Sequence, residues 1–324
     1  MSAKHILLID PLSKLNIKKD TTLQLALALM DKGVEAYCLF ERDLFYTNTK
    51  LPELSVSTFT GENIKNSYYL EGFRLLDNIK YQLKEGDVLH MRLDPPFDGR
   101  YLRILWILKN LAMQGVKVIN SAAGLLLHNE KMRAYSDPSA VETFVGSSAD
   151  GFRDYLVGLQ KKGVTEAILK PLDLYQGMGV QKISFANQSP GDMMAFFLNK
   201  AREYQGTIVV QPYQKAVETG EVRAVYFAGK FLGAIKKVPR PGEFLANIAQ
   251  GASFSKCELS ASQKQTCDKI ATDLLEDGIY WIAYDLIGDH VSEVNITCPG
   301  LLVEVSKALE KNLALDIVDQ LLVL

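Results

Sequence analysis

The sequence predicts an α/β lobe followed by an α+β region, and three observations carry that reading. Strand and helix patterns alternate over about the first 120 residues, which argues for a parallel sheet with helices on both faces. After Asn120 the texture changes: short strands follow one another with few helices between them, as in mostly antiparallel sheets. The chain has 324 residues, 48% of them hydrophobic, enough for two or three domains with cores of their own. Boundaries fall near residues 122 and 213, giving segments 1–122, 123–212 and 213–324.

Each element has its own signal. His5–Ile9 is apolar throughout, as a parallel strand covered on both faces should be. Met1-Ser2-Ala3-Lys4 before it resembles a charged leader, but the apolar run meets Asp10-Pro11 too soon for a signal peptide. Thr21–Asp31 has helical period and stops at Gly33. Val34–Phe40, Asp87–Met91 and Val116–Ile119 read as strands, Gly72–Leu83 and Tyr101–Gln114 as helices. No G-x-G-x-x-G follows the first strand and no G-x-x-x-x-G-K-[ST] occurs, which argues against a dinucleotide fold and a P-loop. Farther on, Glu166–Leu169, Lys182–Phe185, Thr207–Gln211, Glu221–Phe227 and Phe231–Lys237 read as strands. A loop rich in Gly, Pro and small residues spans 239–255. Helix Ser262–Glu276, strands Tyr280–Ile287 and Val291–Thr297, and an amphipathic helix from about Leu302 complete the chain.

Charge and composition remove several functions. A net charge of −2 and a pI of about 6.1 leave no basic excess for a nucleic-acid backbone. The apolar stretches fall well short of the roughly 20 residues that cross a bilayer, so no membrane role is expected. Cys38, Cys257, Cys267 and Cys298 lack the short paired spacing of metal or redox sites and read as reduced thiols in the cytoplasm. His5, His90, His128 and His290 show no clustering, and no Ser/His/Asp or Cys/His arrangement can be drawn.

Three constellations could carry chemistry. Glu293 and Asn295, two apart in a strand, share a face. A three-residue loop at Gly288-Asp289-His290 would set Asp285 opposite Glu293; a two-residue loop would send it to the other face. Three hard oxygens on one hairpin suit Mg²⁺; the plainer reading is a solvated strand face, which the apolar neighbours Trp281, Ile282, Leu286 and Ile296 make costly. The second constellation is Lys131, Lys170 and Arg223, with the Gly177-Met178-Gly179 loop beside Lys170. A fixed cation next to backbone N–H groups can hold phosphate oxygens, although each residue singly is more often a surface charge. The third is Arg92 in MRLDPPFD after a parallel strand, where α/β sheets place ligands: it either clamps a substrate carboxylate or pairs with Asp94 or Asp98. Asn16 and the lysines after it occupy the matching place beyond the first strand, facing the same cleft or capping the next helix.

The order and spacing of DPLSKLNIKKD, MRLDPPFD, INSAAGLLLHNEK, ILKPLD, DLIGD and EVNITCP resemble prokaryotic glutathione synthetase over nearly the whole chain. That resemblance implies an ATP-grasp fold, with an N-terminal α/β domain (1–122), a central lid domain (123–212) and a C-terminal domain (213–324) clamping ATP. It implies ATP-contacting Lys131 and Lys170, and a Gln211-Pro212-Tyr213-Gln214 hinge that binds adenine through its backbone. It also implies Glu221 on the ribose side, Arg223 on the phosphates, and Arg92 on the peptide substrate. Asp285, Glu293 and Asn295 are then the Mg²⁺ ligands, with Mn²⁺ an alternative ion and Asn295 also near the nucleotide. Arg223, Lys170 and Arg92 are the residues assigned to the chemical step. A homo-oligomer, dimer or tetramer, is implied too.

Departures cluster elsewhere. Leu174-Tyr175-Gln176 precede the glycine loop, Leu245 and Ser253 stand where the loop over the acceptor would carry arginines, and Lys237 replaces another. Cys298-Pro299-Gly300 replaces Ser-Pro-Thr, while Glu243, Asn247 and Gly251 persist. The resulting expectation is an ATP-dependent carboxylate–amine ligase working through an acyl phosphate on small-molecule substrates. Glutathione synthetase comes first, the same chemistry on another acid or amine second, and a nucleotide-binding module without turnover third.

Overall fold

Side-chain alternation along β1 (His5–Ile9) explains the first layer of the computed structural model, which describes residues 3–185 and 188–324. Leu7 and Ile9 face α1 (Thr21–Asp31), whose Leu23, Leu25, Leu27 and Leu29 join the same core. Asp20 caps α1, accepting from the N–H groups of Thr22 at 2.8 Å and Leu23 at 2.9 Å. The chain continues through β2 (Ala36–Phe40), β3 (Glu53–Asn63), β4 (Leu70–Gln82), β5 (Val88–Arg92), α2 (Gly99–Met113) and β6 (Lys117–Ile119). Ile6 and Leu8 face α2 on the opposite side, so helices cover both faces as expected.

The sheet order is β4-β3-β2-β1-β5-β6, and β2-β1-β5-β6 is parallel. The remaining pair corrects the expected helix at Gly72–Leu83: that segment is β4, antiparallel to β3. Leu75, Leu76, Ile79 and Leu83 imitate a helical stripe, but Phe73, Leu75, Ile79 and Tyr81 alternate, and their burial follows the period of two. A second correction concerns histidines. The register of β1 with β5 puts His5 and His90 in contact, rings 5.1 Å apart and Nδ1 to Nε2 at 2.9 Å.

The second sheet follows α3 (Ala122–Leu127) and α4 (Glu130–Tyr135). Its elements are β7 (Phe144–Gly146), α5 (Ala149–Lys161), β8 (Glu166–Pro171), β9 (Gln181–Ser184), α6 (Pro190–Glu203) and β10 (Ile208–Pro212). Strand order is β7-β10-β8-β9, all antiparallel. Helices are more frequent here than expected. Ser148 and Ser189 cap α5 and α6, accepting from Gly151 N–H at 3.2 Å and Asp192 N–H at 3.1 Å. Phe152 of α5 stacks on Phe197 of α6 at 4.1 Å, and this lobe has a core of its own.

The third sheet comprises β11 (Glu221–Phe227), β12 (Lys230–Val238), β13 (Ser253–Lys256), β14 (Trp281–Ile287) and β15 (His290–Asn295), with α7 (Ala261–Glu276) before β14. Its order is β13-β12-β11-β14-β15, again antiparallel. The loop expected over 239–255 thus ends in a strand. The single closing helix is two, α8 (Leu302–Leu309) and α9 (Leu313–Leu321), parted at Glu310 with φ of 54°.

First and third sheets are fused. Ile282, Tyr284 and Val294 share a core with α2, while Leu313, Ile317 and Val318 of α9 pack with α1. Buried Asn120 joins them: its Nδ2 donates to Trp281 O (2.8 Å) and Ile296 O (2.7 Å), and its Oδ1 accepts from Tyr280 N (3.0 Å) and Trp281 N (2.8 Å). The central lobe stands apart from this block. No described helix is long and apolar enough to cross a membrane.

Candidate functional site

A cavity of about 660 Å³ opens where the central lobe meets the fused block. Every site residue expected from the sequence lines it: Arg92, Lys131, Lys170, Gln211, Pro212, Tyr213, Gln214, Glu221, Arg223, Asp285, Glu293 and Asn295. Asn16 reaches it too, whereas the helix-capping role beside it belongs to Asp20.

Asp285 and Glu293 stand opposite each other, by a route the sequence did not suggest. The turn has two residues, Gly288-Asp289, because Ile287 pairs with His290. A regular register would then oppose Asp285 to Ser292. A bulge between Asp285 and Leu286 skips Ser292, so Asp285 pairs with Glu293 and Ala283 with Asn295. Ser292 Oγ donates to Asp285 O at 3.1 Å.

The acids of this hairpin are tied to cations. Asp285 Oδ2 receives Arg223 Nη2 at 2.9 Å and Asn295 Nδ2 at 3.0 Å, and Oδ1 receives Lys237 Nζ at 2.8 Å. Lys237 also pairs with Glu221. Burial alone would raise the Asp285 pKa, but Arg223 and Lys237 outweigh it and hold the carboxyl below the usual range. Burial raises Glu221 instead, since Lys237 only partly offsets it and Asp285 adds repulsion. Lys131 Nζ lies 3.0 Å from Glu293 Oε1 and donates to Leu174 O at 2.7 Å. Lys170 sits over the Tyr135 ring at 5.4 Å, with no ion pair among the described residues; burial lowers its pKa, against the pull of Glu293, Glu221 and Asp285.

The remaining walls differ in how much they leave open. Gln211 Nε2 donates to Thr143 Oγ1 at 2.9 Å, and Tyr213 N–H is taken by Glu166 O at 3.0 Å. Pro212 has no N–H and Gln211 is paired with Ile168 in the β10–β8 ladder, so the backbone amide this segment offers a base is that of Gln214. Gly177 and Gly179 both have left-handed backbones, with φ of 77° and 73°. Leu245 covers the first of them, 3.5 Å from where a Cβ would stand, and Asn247 Nδ2 donates to Gln176 O at 2.9 Å. Ser253 is exposed and outside the cavity lining.

Arg92 pairs with neither Asp94 nor Asp98. It donates to Thr22 Oγ1 (2.9 Å) and Pro299 O (2.8 Å) and lies 4.4 Å from the Trp281 ring centroid, while Asp98 caps α2. Two carboxylates escaped sequence reasoning. Glu130 Oε1 accepts from Ile296 N (2.7 Å), Thr297 N (2.9 Å) and Thr297 Oγ1 (2.8 Å). Glu304 is 2% exposed in the first turn of α8, and a lone acid inside the apolar LLVEV run was the available signal.

Two carboxylates and an amide, convergent on one face, fit a hard cation that takes its other ligands from phosphate oxygens. Among the described residues no group of three or more His, Cys, Asp or Glu offers a competing metal site.

The chain is similar to known proteins over nearly its whole length. Residues 3–125 match the family model of the prokaryotic glutathione synthetase N-terminal domain, and residues 130–310 match that of its ATP-grasp domain. A glutathione synthetase of Prochlorococcus marinus is 28% identical over 321 residues, covering 98% of this chain and 99% of that one. Another from Pseudomonas syringae pv. tomato is also 28% identical, covering 97% and 95%. Among solved structures, D-cycloserine synthetase DcsG superposes with a TM-score of 0.67 at 14% identity, covering 98% of each chain. ATP-grasp ligase PsnB, complexed with minimal precursor, Mg and ADP, gives 0.61 at 14% identity over 100% and 98%. The fold is therefore ATP-grasp.

Proposed function

Because this chain belongs to the prokaryotic glutathione synthetase family, and is thus an ATP-dependent ligase, we propose that it joins γ-glutamylcysteine to glycine. The observation that carries the reading is the convergence of twelve residues from six stretches of the chain on one cavity, with an acidic hairpin facing three cations. Lys131, Lys170 and Arg223 gather the triphosphate. The substrate carboxylate, held by Arg92, attacks the γ-phosphorus in line as the bond to the β–γ bridging oxygen breaks, giving an acyl phosphate and ADP. The amine then displaces phosphate and leaves an amide. Positioning and charge do this work, and no protein nucleophile is needed. Asp285, Glu293 and Asn295 would hold Mg²⁺, or Mn²⁺ in its place, which spreads the developing phosphate charge. The three sheets support lobes at 1–122, 123–212 and 213–324, with loop 239–255 keeping water from the acyl phosphate. A cytoplasmic homo-oligomer without nucleic-acid or membrane partners completes the reading.

A second reading keeps the chemistry and changes a substrate. Leu245 over the glycine loop, with Cys298 and Gly300 in the cavity wall, favours it, because an apolar lid neutralises no carboxylate. ADP release measured over a panel of acids and amines separates the two. Selective turnover of γ-glutamylcysteine with glycine is expected; faster turnover of another pair, with little from this one, would replace the first reading by the second.

A further inference from the structure

The amide-forming step needs a group that frees the nitrogen of the amine, and among the described residues the cavity holds one acid with a fully buried oxygen that has no partner. Glu304 lines the cavity, is 2% exposed, and its Oε2 has no hydrogen-bond partner among the described residues; its Oε1 lies 3.7 Å from Lys19 Nζ. Five other cavity acids are engaged through at least one oxygen, and Asp94 lies beside Asp10 and Arg92. Lys237 holds Glu221 and Asp285, Lys131 holds Glu293, backbone N–H groups hold Glu130, and Asp20 caps α1. Arg223 Nε is the second buried polar atom of this wall without a partner. Glu304 stands in the field of Arg223 on one side and beside Lys19 on the other. Arg92 and the phosphate-facing cations line the same cavity, in which an acyl phosphate would form.

Resting on the ligase reading above, we propose that Glu304 binds the amino group of the amine substrate and takes its proton. The amine arrives as an ammonium ion, and the carboxylate removes one proton to expose the lone pair. The nitrogen–carbon bond then forms as the carbon–oxygen bond to phosphate breaks. The electron pair leaves on phosphate, which accepts the second proton from nitrogen, and Glu304 returns its proton to water. Burial raises the pKa of Glu304, with Lys19 and Arg223 opposing, which makes it a better base than an exposed glutamate.

The test compares two acceptors in the full-length enzyme with ATP, Mg²⁺ and γ-glutamylcysteine. Glycine is an ammonium ion at neutral pH; hydroxylamine is already neutral and needs no base. In Glu304→Gln, kcat/KM for glycine should fall about 100-fold further than that for hydroxylamine, the span typical of a lost general base. Glu304→Asp, which keeps the carboxylate, should recover part of the loss. Equal losses with both acceptors would make Glu304 a structural residue, and no loss with either would remove it from the reaction. Wild-type enzyme that yields no hydroxamate from any acid of the panel would count against acid activation itself, and this inference would go with it.

Discussion

Lys170 shows how much a single side chain can be asked to do. It is half-buried at the end of β8, its pKa is lowered by burial, and its ammonium has a ring rather than a carboxylate beneath it. A cation so placed is available to a phosphate. Lys170→Ala should weaken ATP binding by about 1.5–3 kcal/mol, the worth of a charged hydrogen bond. Calorimetry showing unchanged affinity would return Lys170 to the surface charges. The His5–His90 pair makes a prediction about pH. Burial pushes His5 down to about 4, with Asp87 opposing and Lys117 assisting, and burial lowers His90 as well. Above an unfolded value near 6.5 both states leave His5 neutral. Between there and about 4 only the unfolded chain takes the proton, so stability falls with pH across that window and then levels off. His5 alone accounts for about 3 kcal/mol. Urea denaturation of wild type and His5→Gln at several pH values checks this; parallel profiles would exclude His5 as the source.

At the scale of elements, the β14–β15 hairpin depends on its bulge rather than its turn. Replacing Glu293 and Asn295 together with alanine should abolish Mg²⁺-dependent ADP release. Deleting Ser292 should preserve it, because the next residue opposite Asp285 would still be Glu293. Loss of Mg²⁺ dependence in the deletion would show that bulge geometry, and not merely the shared face, holds the site. The same hairpin marks what a sequence can disclose. Residue types and a period of two placed Glu293 and Asn295 together, yet nothing in VSEVN distinguishes a bulge at Ser292 from regular pairing. Strand β4 failed differently, since LLDNIKYQL satisfies both periods and only its partner β3 decides. Glu130 and Glu304 were hidden because the groups that define them, Thr297 and Lys19, lie 167 and about 285 residues away along the chain.

For the whole molecule, the separate core of the central lobe has a dynamic consequence. Phe152, Leu169 and Phe197 bind that lobe to itself, not to the fused block. Hydrogen exchange should therefore show β7 to β10 protected as one unit, with the segments joining it to the block exchanging faster. A non-hydrolysable ATP analogue should slow exchange in both joining segments and in the 174–180 loop. Exchange unaffected by the analogue would mean that nucleotide does not bridge the lobe and the block. The change from parallel to antiparallel pairing after the first sheet was visible in the sequence because it follows local periodicity. The fusion of first and third sheets was not, because Asn120 reaches Trp281 across 161 residues.

That fusion also governs the order in which the chain can mature on the ribosome. The leucine face of α1 is finished only by α9, and Asn120 finds its carbonyls only after β14 and β15 exist. At about 5–20 residues per second, some tens of seconds separate the emergence of the first sheet from that of its last covering helix. The central lobe, with its core complete by residue 212, can fold during this interval. The nascent first sheet meanwhile exposes a leucine-rich face that invites a chaperone. A pause anywhere before α9 emerges, inside the central lobe or after it, should prolong that exposure equally.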